Sequence, residues 1–139
     1  MHGDQATQPP ILDLPPLCMM LAEDGGVKQR RVTRLLEKVG HTVIAVKNGN
    51  QALEKMAEKE LDLVLMDIEL SIMDGVTAIR NLRKREAGRP GRLPVIALTA
   101  HTEASDRQRI LGAGADGYLV KPVGIEALLS MIAQILHPG

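Results

Sequence analysis

The chain has 139 residues and a mass of 15.1 kDa, the size of one domain whose core needs no disulfide or metal staple. Seventeen Lys and Arg balance seventeen Asp and Glu, which argues against a polyanion binder. A single aromatic residue, Tyr118, excludes the stacking platforms that single-stranded nucleic acid or a flavin requires.

Residues 1–16 hold four of the eight prolines, Pro9, Pro10, Pro15 and Pro16, and read as an extended tail or linker; residues 17–139 read as the folded domain. Leu17 to Ala22 is a short, continuously apolar run of the kind that forms a strand buried on both faces. Cys18 falls in that run, reads as a core residue and has no internal disulfide partner, which points to a reducing compartment. Val27, Val32, Leu35, Leu36 and Val39 recur at helical spacing, with Gly40 as the C-terminal stop. Thr42 to Val46 is a second strand, and Asn50 is the expected cap of a helix through Ala52, Leu53 and Met56 to Glu58. Leu63 to Met66 is a third strand ending on Asp67. A helix is expected over Gly75 to Arg85, with Val76, Ile79 and Leu82 on its apolar face, then a loop from Glu86 to Leu93. Pro94 to Leu98 is a fourth strand ending on Thr99. A polar helix around Glu103 to Leu111 is stopped by Gly112 and Gly114. Tyr118 to Val120 is a fifth strand ending on Lys121-Pro122, and Ile125, Leu128, Leu129, Ile132 and Ile135 mark the last helix.

Five strands alternating with five helices predict an α/β fold: a doubly wound five-stranded parallel sheet with helices on both faces, flavodoxin-like in its (β/α)5 order. No signal peptide is visible at the N-terminus, and no apolar stretch is long enough to cross a bilayer. Direct membrane insertion is therefore not expected, and the reading is cytoplasmic.

In an open α/β sheet the site forms beyond the carboxyl ends of the strands. Glu23 and Asp24 follow the first strand, Asp67 ends the third, Thr99 the fourth, and Lys121 follows the fifth. Any one of them alone reads as a turn former, a cap or a solvated charge. Together, each closing a different buried strand, they place three carboxylates, a hydroxyl and an ammonium on one edge. Two like charges 4 Å apart repel by about 4 kcal/mol at an effective dielectric near 20, so the carboxylates need a cation. Hard oxygen ligands suit Mg²⁺.

The constellation resembles the receiver domain of two-component response regulators. The resemblance is carried by Leu21-Ala22-Glu23-Asp24, Asp62 to Asp67, Met73-Asp74-Gly75, Pro94 to His101, and Gly112 to Pro122, and it spans about Leu17 to Leu136. It implies a phosphoacceptor switch of a phosphorelay. Asp67 would take a phosphoryl group from the phosphohistidine of a histidine kinase or a histidine phosphotransfer domain. Asp24, Asp67 and the main-chain carbonyl of Glu69 would hold Mg²⁺, with Glu23 acting through a metal-bound water. Lys121 and Thr99 would contact the phosphoryl oxygens, and Thr99 and Tyr118 would move together as the switch. Lys121-Pro122 matches a frequent cis peptide. Residues 103–136 form the implied output surface, the place for any homodimer contact. Two settings fit: a stand-alone regulator, or the receiver of a hybrid histidine kinase at the inner face of a membrane. The proline-rich lead-in and the Leu-Thr-Ala-His segment favour the second.

The sequence departs from the family pattern in three places. Leu70-Ser71 replaces the usual Met-Pro, Gly25-Gly26 follows the acidic pair, and Glu69 and His101 occupy positions that tune phosphoryl lifetime. The basic run Arg80, Arg83, Lys84, Arg85, Arg89 and Arg92 reads as a solvated helix end rather than a nucleic-acid surface. Three rivals share features: a Mg²⁺-dependent phosphatase with an aspartyl nucleophile, a receiver-like module that is not phosphorylated, and a flavodoxin-type carrier. The first lacks its second catalytic aspartate and a cap, the second would not need the whole acceptor set, and the third lacks its phosphate loop and aromatics.

Overall fold

A computed structural model describes residues 14–100 and 103–137; most of the proline-rich segment, and His101, lie outside the described residues. Five strands, β1 (Cys18–Ala22), β2 (Thr42–Val46), β3 (Leu63–Asp67), β4 (Val95–Thr99) and β5 (Gly117–Val120), alternate with five helices. The helices are α1 (Gly26–Lys38), α2 (Gly49–Glu58), α3 (Gly75–Glu86), α4 (Ala104–Ala113) and α5 (Ile125–Leu136). All strand pairs are parallel, in the order β2-β1-β3-β4-β5. The chain thus winds outward from β1 in one direction and returns past it in the other, which is the predicted doubly wound sheet.

Residues whose side chains point to alternate faces feed two separate cores. Met20, Ala22, Val64, Met66, Val95 and Ala97 pack against Ala52 of α2, Val76, Ile79 and Leu82 of α3, and Ile110 of α4. Met19, Leu21, Leu63, Leu65, Ile96 and Leu98 pack against Leu36 of α1 and Leu128, Leu129 and Ile132 of α5. Each such side chain, taken fully out of water, contributes about 1.5–3 kcal/mol. The central strands are buried on both faces, which explains why they read as unbroken apolar runs rather than alternating ones.

Several local expectations are corrected. Asn48, not Asn50, caps α2: its backbone is extended and its Oδ1 accepts from the Gln51 N–H at 2.9 Å. Gly49 then fits beneath the Met73 carbonyl, where a Cβ would stand 2.3 Å from the oxygen. Gly112 lies inside α4, and the helix closes at Gly114, whose φ of 117° is left-handed. Val27 and Val39 are exposed rather than on the packed face of α1, because the first and last turns overhang the sheet. Cys18 is half-buried, at the start of β1. The basic run is not uniformly solvated. Arg83, its side chain 13% exposed, donates to the Gly114 and Leu93 carbonyls and to the carboxylates of Glu86 and Asp116 at 2.6–2.9 Å. Arg92 also binds Asp116 and the Gly114 carbonyl, and Arg85 donates to the Leu53 carbonyl. These arginines hold the α3–β4 loop, the β5 lead-in and α2 in register.

At the pole opposite the strand carboxyl ends, His41 is buried, and its Nδ1 accepts the Leu17 N–H at 3.1 Å. Burial holds its pKa below the ordinary imidazole value, so the ring is neutral with its proton on Nε2.

Candidate functional site

The order β2-β1-β3-β4-β5 puts the winding reversal between β1 and β3, and the site lies beyond their carboxyl ends. Asp67 is the last residue of β3 and is 1% exposed. Glu23, buried, and Asp24, exposed, follow β1. One carboxylate oxygen from each of Glu23, Asp24 and Asp67 falls within 4.8 Å of the others. Lys121 arrives from the end of β5 and donates to Asp67 Oδ2 at 2.7 Å, with Glu23 Oε2 at 3.4 Å. Thr99, fully buried, ends β4 beside the Asp67↔Leu98 pair.

Short-range contacts fix each group. The Glu69 N–H donates to Asp67 Oδ1 at 2.9 Å, so both carboxylate oxygens of Asp67 are engaged. The Gly25 N–H donates to Glu23 Oε1 at 3.1 Å. Gln29 of α1 was not foreseen: its side-chain amide donates to the Glu23 and Val46 carbonyls, each at 2.9 Å, pinning the acidic turn to β2. A glutamine on a polar helix face carries no sequence signal for this. Asp74 caps α3 by accepting the Thr77 N–H at 2.8 Å. Gly75 leaves room for the Asp67 carbonyl, which a Cβ would approach to 2.3 Å. Between them Ile72 is exposed in the left-handed region, φ 67°, so the loop that lacks the expected proline turns through a strained residue instead.

Burial raises the Glu23 pKa, and the hydrogen bond shared with Asp67 raises it further, against the pull of the Gly25 N–H and Lys121. Burial alone would lower the Lys121 pKa, but the carboxylates of Asp67 and Glu23 outweigh it and hold the ammonium charged. The site is thus an acidic triad neutralised from one side by an amine. The donor set is hard oxygen, converging and partly open to solvent through Asp24, which fits Mg²⁺.

Of the other predicted residues, Glu69 has an exposed side chain. Tyr118 sits on edge strand β5, half-buried against the α2–α3–α4 core, with the Arg107 guanidinium 5.5 Å from its ring centroid. Lys121-Pro122 is cis.

The response regulator receiver domain model matches residues 19–133. The chain belongs to this family. The receiver is 39% identical, over 94% of its length, to the aerobic respiration control sensor protein ArcB of Escherichia coli, and 33% identical, over 87%, to histidine kinase 1 of Arabidopsis thaliana. It spans 17% and 13% of those two relatives, so the likeness is to one module of a hybrid kinase. Among solved structures, it resembles the receiver domain of a sensor histidine kinase from Pseudomonas aeruginosa PAO1, which has a magnesium ion coordinated in its active-site cleft. That match has a TM-score of 0.79 and 34% identity, covering 88% of this chain and 98% of the other. Another likeness is to the yeast co-crystal structure of the histidine phosphotransfer protein Ypd1 and the Ssk1 receiver domain, with a TM-score of 0.80 and 28% identity over 86% of this chain and 88% of the matched one. No helix among the described residues is long and apolar enough to cross a membrane.

Proposed function

We propose that this receiver is a phosphoacceptor switch in which Asp67 takes a phosphoryl group from the phosphohistidine of a kinase or phosphotransfer domain. The observation that carries the reading is a buried aspartate at the end of a central strand, 2.7 Å from an ammonium and beside two further carboxylates. In the transfer, a carboxylate oxygen of Asp67 attacks phosphorus in line, the P–O bond forms as the P–N bond breaks, and the leaving imidazole takes a proton. Phosphoryl transfer asks the protein for positioning and charge neutralisation more than for covalent chemistry. The Glu69 N–H holds the Asp67 carboxylate in orientation, and Lys121 offers a compact positive charge to the incoming oxygens.

Glu23, Asp24, Asp67 and the Glu69 carbonyl would hold Mg²⁺, which neutralises the equatorial oxygens when bound. Thr99 would donate its hydroxyl to a phosphoryl oxygen. Only a difference in how the phosphoryl group binds the two arrangements of the Thr99 loop can shift the population. Tyr118, one strand away, would carry that shift to the 103–136 surface, and His101 and Glu69 would tune the phosphoryl lifetime. The relatives favour a place within a hybrid kinase, near its histidine-containing domains.

The test is intact mass after incubation with acetyl phosphate and Mg²⁺. Wild type is expected to gain one phosphoryl group and Asp67→Asn none. Equal gain in both proteins, or none in folded wild type offered both acetyl phosphate and a phosphorylated phosphotransfer domain, overturns the reading.

A further inference from the structure

Helix α1 breaks two rules of helix electrostatics. It carries Lys28, Arg30, Arg31, Arg34 and Lys38 against one acid, Glu37, in a chain whose formal net charge is zero. Lys28 stands in the first turn with no acidic residue there, the wrong sign for the positive end of the helix dipole. Lys28–Arg31, Arg31–Arg34, Arg30–Arg34 and Arg34–Lys38 are like-charge neighbours three or four residues apart, each of which disfavours the helix. All five cations are exposed, and none has an ion-pair partner among the described residues. A charge pattern that costs stability and returns nothing inside the fold marks a surface kept for something outside it.

The surface is continuous with the phosphoacceptor site. Lys28 and Arg31 line a cleft of about 330 Å³ together with Glu23, Lys121, Pro122 and Val123. Arg31 also shares a shallow face with Val27, Arg30, Arg34 and Leu35. An occupant of α1 therefore abuts the rim of the site. A lipid surface fits poorly: the apolar side of α1, through Leu36 and Val32, is turned into the core, leaving Val27 alone to insert.

We propose that the exposed face of α1 docks the protein phosphodonor electrostatically, and that the donor presents an acidic surface beside its phosphohistidine. This rests on the phosphoacceptor reading above and adds the charge that selects the partner. Complementary charge acts chiefly on association rate and on rejection of wrong partners.

The test uses one phosphorylated histidine phosphotransfer domain prepared in two forms, with carboxylates or the matching amides on the surface flanking its histidine. Wild type should accept from the acidic form roughly tenfold faster or more at low salt, the advantage collapsing as salt rises from about 0.05 to 0.5 M. Arg30→Glu/Arg34→Glu should lose that preference, while labelling by acetyl phosphate, too small to span α1, reports that the site is intact. Arg34→Glu alone turns three of the four like-charge pairs into opposite ones and should raise Tm, so lost transfer would not be misfolding. Indifference of wild type to donor charge, or unchanged transfer to the variant, overturns the proposal. So does salt-sensitive wild-type binding to phosphatidylserine–phosphatidylcholine vesicles or duplex DNA that the variant loses while donor preference persists. Failure of wild type to be labelled by acetyl phosphate or by either donor instead removes the phosphoacceptor reading itself.

Discussion

Two glycines in helices make a matched pair. Gly75 opens α3, and a Cβ there would stand 2.3 Å from the Asp67 carbonyl oxygen and 2.8 Å from the Ile68 Cα. Real Cβ contacts essentially never fall below 3.0 Å, so in Gly75→Ala the backbone must give by at least about 0.7 Å in a packed interior with no slack. The atoms that must move belong to the acceptor residue and its successor. Overpacking of this kind costs about 1–3 kcal/mol. A displacement approaching 1 Å at a reacting group costs up to about 100-fold in rate, so acetyl phosphate labelling of Asp67 should slow by roughly 10- to 100-fold. Gly112, inside α4, has nothing within 4 Å of its notional Cβ. Gly112→Ala should therefore stabilise by up to about 1 kcal/mol through helix propensity alone and leave labelling unchanged. Urea denaturation and a labelling time course measure both variants. Wild-type stability and rate in Gly75→Ala would refute the claim that the acceptor loop is set by this close approach.

Further outcomes follow from the other polar sites. Mg²⁺ at about ten times its Kd should add ~1.4 kcal/mol of stability by mass action, read as a Tm rise of a few degrees, and Asp24→Asn should abolish most of that rise. Arg83→Met, which strips partners from Glu86 and Asp116 at a side chain 13% exposed, should cost about 2–3 kcal/mol in chemical denaturation; a loss under about 0.5 kcal/mol, the scale of an ordinary surface substitution, would contradict it. His41, held neutral by burial, contributes stability that is fully present above its ordinary pKa near 6.5. That contribution is lost as pH falls from there toward the lowered folded-state value, because the unfolded chain takes up the proton first. Denaturation midpoints across that range should show the slope in wild type and a reduced one in His41→Leu.

The fold was legible because parallel strands buried on both faces announce themselves as short apolar runs, and Asp67, Thr99 and Lys121 each closed one. Which residues meet across strands follows from the order β2-β1-β3-β4-β5, which alternation alone does not state. What stayed hidden is where identical chemistries divide by context. Asn48 and Asn50 are equally good caps in the sequence; the close approach of Gly49 to the Met73 carbonyl decides between them. Arg83 and Arg80 look alike in a basic run, yet one is the hub of four hydrogen bonds and the other is exposed. Gln29 reads as surface filler and instead bridges two carbonyls. The left-handed Ile72 could not be read from residue type, since β-branched side chains avoid that region.

The lone tyrosine gives this chain an optical property of its own. With no tryptophan or phenylalanine anywhere in the sequence, tyrosine emission and the near-ultraviolet circular dichroism arise from one ring. That ring lies on the edge strand, under a guanidinium of α4 and against the core behind the acceptor loop. Any repacking there changes the polarity and contact partners of the only fluorophore present. The unlabelled protein therefore carries a native reporter, placed by composition and topology where a spectroscopist would have engineered one.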